Sequence, residues 1–202
     1  MKQIHSPPIL LALLLAATTF AVFSPSLNFS LLSFDDPEFI THNPIIYNGF
    51  SWEGVKSAFT SLHGDQTMYI PLLWISFLLD VWLFGASAAD PWGFHLTNVL
   101  LHALNSLFMY LLLFSFCRKP WRAFFFAALW ALHPLRVESV AWVTERKDVL
   151  SGFFAFPCLL AYVAAWRLAG STKDHAPHLL PPRRWLIWLS FVLFAAGLLV
   201  KP

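Results

Sequence analysis

Residues 69–84 read YIPLLWISFLLDVWLF, and whether this stretch crosses a bilayer decides on which side every later loop lies. A helix needs about 20 apolar residues to cross ~30 Å of hydrocarbon. This stretch is shorter, carries Asp80, and opens with Pro71, which suits the first turn of a helix. Lysine and arginine placement supplies a second argument. With 69–84 lying along the surface and the N-terminus cytoplasmic, Lys2, Arg118, Lys119, Arg122, Arg167, Lys173, Arg183 and Arg184 fall inside. Lys56, Arg136, Arg146, Lys147 and Lys201 fall outside. Letting the stretch span reverses that excess, against the positive-inside rule. The segment is therefore expected to be interfacial, like the Trp-bearing stretch 52–62 before it.

Outward from there the chain reads as an all-α, multi-pass integral membrane protein. Of its 202 residues 58% are hydrophobic and 12% charged, against roughly 45–50% and 25% in soluble proteins. The net charge of +2 and two distant cysteines argue against nucleic-acid binding and a secreted disulfide scaffold. About five spans are expected, near 9–29, 92–116, 121–135, 149–168 and 185–202, with outer loops 30–91 and 134–148. The first apolar run has only Lys2 before it and no A-x-A site after it, so it reads as an uncleaved span. The chain stops directly behind an apolar run, which predicts a truncated piece of a longer polytopic protein. Ten of eleven carboxylates fall outside, with Asp174 as the exception.

Four polar groupings stand out. Asp35 and Asp36 follow the first span in SFDDPEF; adjacent carboxylates near a bilayer repel one another, so one can serve as base or metal ligand while the other positions it. A helix start before Pro37 is the plainer reading. His95, Asn98, His102 and Asn105 share one helical face of the second span. In lipid such a face is either a site wall or interhelical hydrogen-bond glue. Residues 133–148, HPLRVESVAWVTERKD, carry His133, Arg136, Glu138, Glu145, Arg146, Lys147 and Asp148 at the membrane surface. That density of charge suits plain ion pairing or an anionic phosphate. The fourth grouping is the aromatic interfacial region already described. No metal-ligand set is assigned, and a divalent cation at the paired carboxylates stays open.

The order of these pieces resembles a known family. FDD at residues 34–36, Asn43-Pro44, WEGV at 52–55, Pro71-Leu72, HLTNVLLH at 95–102 and HPLRVESVAWVTERKDVLS at 133–151 follow one another as in bacterial relatives of the transmembrane-and-tetratricopeptide-repeat protein O-mannosyltransferases, members of the GT-C glycosyltransferase superfamily. The resemblance implies a GT-C-like fold and a sugar, mannose in the family, carried on a polyprenyl phosphate. It further implies a hydroxyl acceptor on protein or glycan and an active site facing the periplasm of a bacterial inner membrane. Asp35 and Asp36 match the family's catalytic acidic motif. His95, Asn98, His102, His133, Arg136, Glu138, Arg146 and Lys147 become candidates for holding donor phosphate or substrate. Two departures are visible: Arg136 stands where the family's H-P-x-H-x-E has its second His, and Ile70 replaces an Arg found in animal relatives. Two other classes compete with this reading. One is a transporter or channel subunit, although carboxylates gathered at one face suit interfacial lipid chemistry better. The other is a catalytically incomplete membrane scaffold.

Overall fold

The computed structural model describes residues 9–47, 49–60, 69–169 and 183–201. Its long helices are α1 (Ile9–Phe23, prolonged by a 3₁₀ turn over Ser24–Asn28), α5 (Trp92–Cys117) and α8 (Arg146–Ala169). These three are long and apolar enough to cross a membrane among the described residues. The 26 residues of α5 amount to roughly 39 Å at 1.5 Å per residue. Shorter are α4 (Pro71–Phe84), α6 (Pro120–Ala131) and α9 (Arg184–Leu198), with α2 (Pro44–Tyr47), α3 (Trp52–Thr60) and α7 (Arg136–Ala141) in the loops. The chain is an all-α membrane protein.

Local sequence explains the punctuation. At its C-terminus α5 closes on Arg118 in the left-handed region, φ 54°, whose N–H reaches Phe114 O. Lys119 is extended and Pro120 opens α6, where a missing N–H costs nothing. So short a connection forces α5 and α6 into an antiparallel hairpin. The apolar run after Trp121 ends helically at Ala131, before His133-Pro134, and its 12 residues cover only about 18 Å. By contrast α8 starts ahead of its apolar run, at Arg146, because that charge is neutralised inside the protein, as described below.

The hub is α5, which packs against α1, α6 and α8, while α9 lies along α8. Small side chains permit the close approaches: Ala12, Ala123 and Ala127 are buried where α1, α5 and α6 meet Tyr110 and Phe114. The largest core lies at the opposite end of the bundle. It gathers Phe23, Phe39, Ile40, Leu73, Trp74, Phe77, Phe94, Val140, Val149 and Val200. The end of α1, the start of α5, the start of α8 and the end of α9 therefore converge with the loops on one knot. Stretch 69–84 is helical from Pro71 and buries one face (Leu73, Trp74, Phe77, Leu78, Asp80) in that knot, leaving Trp82 and Leu83 exposed. α3 lies on α4, with Gly54 facing Leu78.

Candidate functional site

At this loop-bearing end the two acidic neighbours have different fates. Asp36 is 1% exposed. Its Oδ2 accepts the Leu32 N–H at 2.7 Å; its Oδ1 accepts the Trp142 indole N–H at 3.0 Å and the Thr144 N–H at 3.2 Å. The carboxylate thus pins the loop that follows α1 to the loop between α7 and α8, and it caps no helix. Asp35 is half-buried. Its backbone carbonyl accepts the Glu38 and Phe39 N–H groups, but its carboxylate takes no hydrogen bond among the described residues.

The polar stripe of α5 binds backbone. Asn98 Nδ2 donates to Val140 O and Trp142 O at 3.2 and 3.1 Å, His102 Nε2 meets Ala131 O at 2.8 Å, and Asn105 Nδ2 donates to Val149 O at 2.7 Å. The chain between α6 and α8 carries carbonyls that no regular helix satisfies, and a buried carbonyl without a partner is costly. Asn98 and His102 supply partners for Val140 O, Trp142 O and Ala131 O of that chain and its borders, whereas Asn105 ties α5 to Val149 O in the first turn of α8. His95 is buried beside Phe29, edge-on at 6.5 Å between ring centroids.

Arg146 is fully buried and turned inward. Its Nε donates to Asn98 Oδ1 at 2.7 Å, NH1 to Ser76 Oγ at 3.2 Å, and NH2 to Phe94 O at 2.7 Å. NH2 also pairs with Asp80 Oδ2 at 2.5 Å. The guanidinium lies 4.4 Å from the centre of the Phe77 ring. The other carboxylate oxygen of Asp80 accepts the Thr97 hydroxyl at 2.5 Å. Burial pushes the Asp80 carboxyl above its ordinary range, with Arg146 opposing that rise.

Arg136, Glu138, Asp148 and Lys201 border two cavities on different faces of α7. One, of about 400 Å³, lies among α5, α6, α8 and α9; Arg136, Lys201, Asp148 and Ser139 supply its polar side, and Phe156, Leu193, Phe194 and Leu198 part of its apolar wall. There Asp148 accepts Ser139 Oγ at 2.9 Å and Lys201 Nζ at 2.5 Å. Arg136 sits 4.7 Å over the Trp130 ring, and its buried Nε has no partner among the described residues. The second, of about 510 Å³, is bounded by Asn28, Phe29, Ser30 and Leu32 on one side and Val137, Glu138, Ala141 and Trp142 on the other. No three His, Cys, Asp or Glu side chains converge as metal ligands among the described residues.

No family model and no solved structure matches the chain. Curated proteins do. Protein O-mannosyl-transferase Tmtc2 of Drosophila melanogaster is 30% identical over 179 residues, 83% of this chain and 18% of its own length. The chain is a relative of the Tmtc proteins. Xenopus laevis Tmtc2 is 38% identical over 122 residues, covering 60% of this chain and 14% of the relative. Human TMTC4 is 28% identical over 217 residues, covering 96% and 28%. The matched stretch thus spans under a third of the length of each of these Tmtc relatives.

Of the candidate residues in this Tmtc relative, His102 and Arg136 border the 400 Å³ cavity and Glu138 the 510 Å³ one. Asp36 reaches the second through Trp142. Lys147 pairs with Glu145 at 2.8 Å and borders neither. His133 is exposed, its Nδ1 accepting the Leu135 N–H at 3.2 Å. Asn98 and Arg146 are consumed in the buried network. Trp142, Thr144, Ser76 and Lys201 were not singled out from sequence. Trp142 alone carried a signal, since an indole beside an acidic loop needs an acceptor for its N–H when buried.

Proposed function

We propose that this chain is the membrane part of a glycosyltransferase that moves a sugar from a polyprenyl-phosphate carrier to an acceptor hydroxyl. The relatives' names, which specify O-mannosyl transfer to protein, support mannose and a protein acceptor. The reaction belongs at the loop-bearing end, taken as the outer, periplasmic face of a bacterial inner membrane. The positive-inside count supports that orientation.

The observation that carries the reading is the division of labour in the acidic pair. Asp36 is held by three N–H donors, whereas the neighbouring Asp35 carboxylate is half-buried and takes no hydrogen bond among the described residues. A base must keep a lone pair free for the proton it accepts, and Asp35 has one. The acceptor oxygen attacks the anomeric carbon as Asp35 takes the hydroxyl proton. The bond from that carbon to the phosphate oxygen breaks, and the phosphate departs with the electron pair. Direct displacement inverts the anomeric centre, as in inverting glycosidases. The departing charge needs fixed cations. Arg136 and Lys201 lie beside an apolar wall from α8 and α9, a lining that fits a phosphate head with a prenyl tail.

Asp35→Asn and Asp36→Asn variants, measured in membranes with a polyprenyl-phosphate-linked mannose donor, separate the roles. Asp35→Asn is expected to lose about 10²–10⁴-fold in transfer, the usual worth of a general base, with unchanged thermal unfolding. Asp36→Asn is expected to lose stability and transfer together. Full transfer by Asp35→Asn would remove the base from this scheme.

A further inference from the structure

The 510 Å³ groove lies across α7 from the cavity with the cationic mouth, so a phosphate and its lipid tail on one side leave the other side vacant for the second reactant. Three features of the groove describe that reactant. Its wall over residues 29–32 is extended chain with no regular helical or sheet pairing among the described residues. Phe29, Leu32 and Val137 are each about half exposed, at 51%, 50% and 52%. Glu138 is exposed and is the one charged side chain in the lining among the described residues.

We propose that this groove binds the acceptor as an extended polypeptide segment, and that Glu138 selects segments carrying a basic residue near the hydroxyl that receives the sugar. The inference rests on the reading of the chain as a glycosyltransferase. The Phe29 and Leu32 N–H groups are engaged by Ser26 O and Asp36 Oδ2, but Ser30 and Leu31 between them make no backbone hydrogen bond among the described residues. That suits main-chain pairing there with a second extended strand, and apolar positions on either side take alternate side chains. A carboxylate that makes no salt bridge among the described residues attracts arginine or lysine and repels aspartate or glutamate. Continuity with the acidic pair supports the placement, because Trp142 borders the groove and donates its indole N–H to Asp36. Phe34, next to Asp35 in the chain, packs on the same indole at 5.7 Å. A strand in the groove therefore presents its hydroxyl toward the DD turn.

The test is binding without donor, which keeps it separate from the chemistry. Three fluorescent nonapeptides, alike except for Arg, Gln or Glu beside a single central Thr, are titrated against the chain in nanodiscs. For wild type, the Arg peptide is expected to bind about threefold more tightly than the Gln peptide and about tenfold more tightly than the Glu peptide, the range of one partly exposed charge pair. Glu138→Gln is expected to erase the ranking and Glu138→Lys to reverse it. Ala141→Trp, which fills the groove, is expected to weaken all three while leaving thermal unfolding unchanged. An unchanged ranking in Glu138→Lys would overturn the proposal, as would an equal loss for all three peptides in that variant, the result expected of a groove that holds the sugar. Selective binding with no transfer upon adding the lipid-linked donor would sink the enzymatic reading and leave only charge-selective peptide binding standing. Transfer with no charge preference would do the opposite.

Discussion

Replacing Arg146 tests whether its guanidinium belongs to the architecture or to a bound phosphate. The side chain of Arg146 is 0% exposed and that of Asp80 3%. Arg146→Met leaves Asp80 without its cation and removes donors from Phe94 O, Asn98 Oδ1 and Ser76 Oγ. Breaking a buried pair by deleting one partner costs about 3–5 kcal/mol, chiefly because the surviving charge is stranded. For a chain of this size that corresponds to a fall of roughly 6–20 °C in Tm, at about 2–4 °C per kcal/mol. Asp80→Asn is expected to cost a similar amount, although the Thr97 hydroxyl keeps an acceptor. The double variant Asp80→Leu with Arg146→Met strands no charge, so it is expected to recover at least about 2 kcal/mol relative to the sum of the single changes. Thermal unfolding in detergent, followed by tryptophan fluorescence, measures all three. A loss below about 1 kcal/mol for Arg146→Met, or simple additivity in the double variant, would show that Asp80 does not hold the guanidinium and return Arg146 to the candidates for phosphate contact.

Other perturbations have equally definite signs. A Cβ at Gly93 would lie 2.7 Å from Phe84 Cβ and 3.1 Å from Ala86 Cβ; Gly93→Ala is expected to cost about 1–2 kcal/mol in the same unfolding assay, since overpacking outweighs the helix propensity gained. The Thr144 hydroxyl is buried with no partner among the described residues, while its N–H serves Asp36. Thr144→Val keeps that N–H and the side-chain shape, so Tm is expected to hold or rise by the equivalent of up to about 1 kcal/mol. Arg118 occupies φ 54° at the end of α5. Arg118→Gly is expected to stabilise by about 0.5–1 kcal/mol, because glycine adopts that conformation without the steric penalty.

The membrane class, the helical character of 71–84 and the shared face of His95, Asn98, His102 and Asn105 were all legible in the sequence. Each follows from composition or from the helical period, which are local properties. What that face does was not. Site wall and hydrogen-bond glue demand the same spacing, and only the carbonyls of Ala131, Val140, Trp142 and Val149 lying opposite distinguish them. The charges of 133–148 show the limit more sharply. Arg136, Arg146 and Lys147 look alike as cations near a bilayer, yet one lies over Trp130, one is buried on Asp80, and one pairs beside Glu145. A clue to the second was present: a carboxylate inside an apolar helix has to find a cation or a cavity. Nothing local said which of several arginines would answer it. Asp35 and Asp36 are likewise equivalent in sequence, and a contact 106 residues away, with Trp142, makes them different.

The Asp80–Arg146 pair also imposes an order on the birth of the protein. Its two halves are separated by 146 − 80 = 66 positions, so at about 5–20 residues per second a ribosome needs roughly 3–13 s to make the second after the first. During that interval α4 carries a carboxylate that the finished fold keeps from water. The chain either holds the helix at the bilayer surface or lends it another partner until α8 begins to emerge. In the finished fold the guanidinium fastens α8 to α4 and α5 through Asp80, Phe94 and Asn98. A nascent chain arrested anywhere between 80 and 146 therefore carries an acid whose partner has not yet been made.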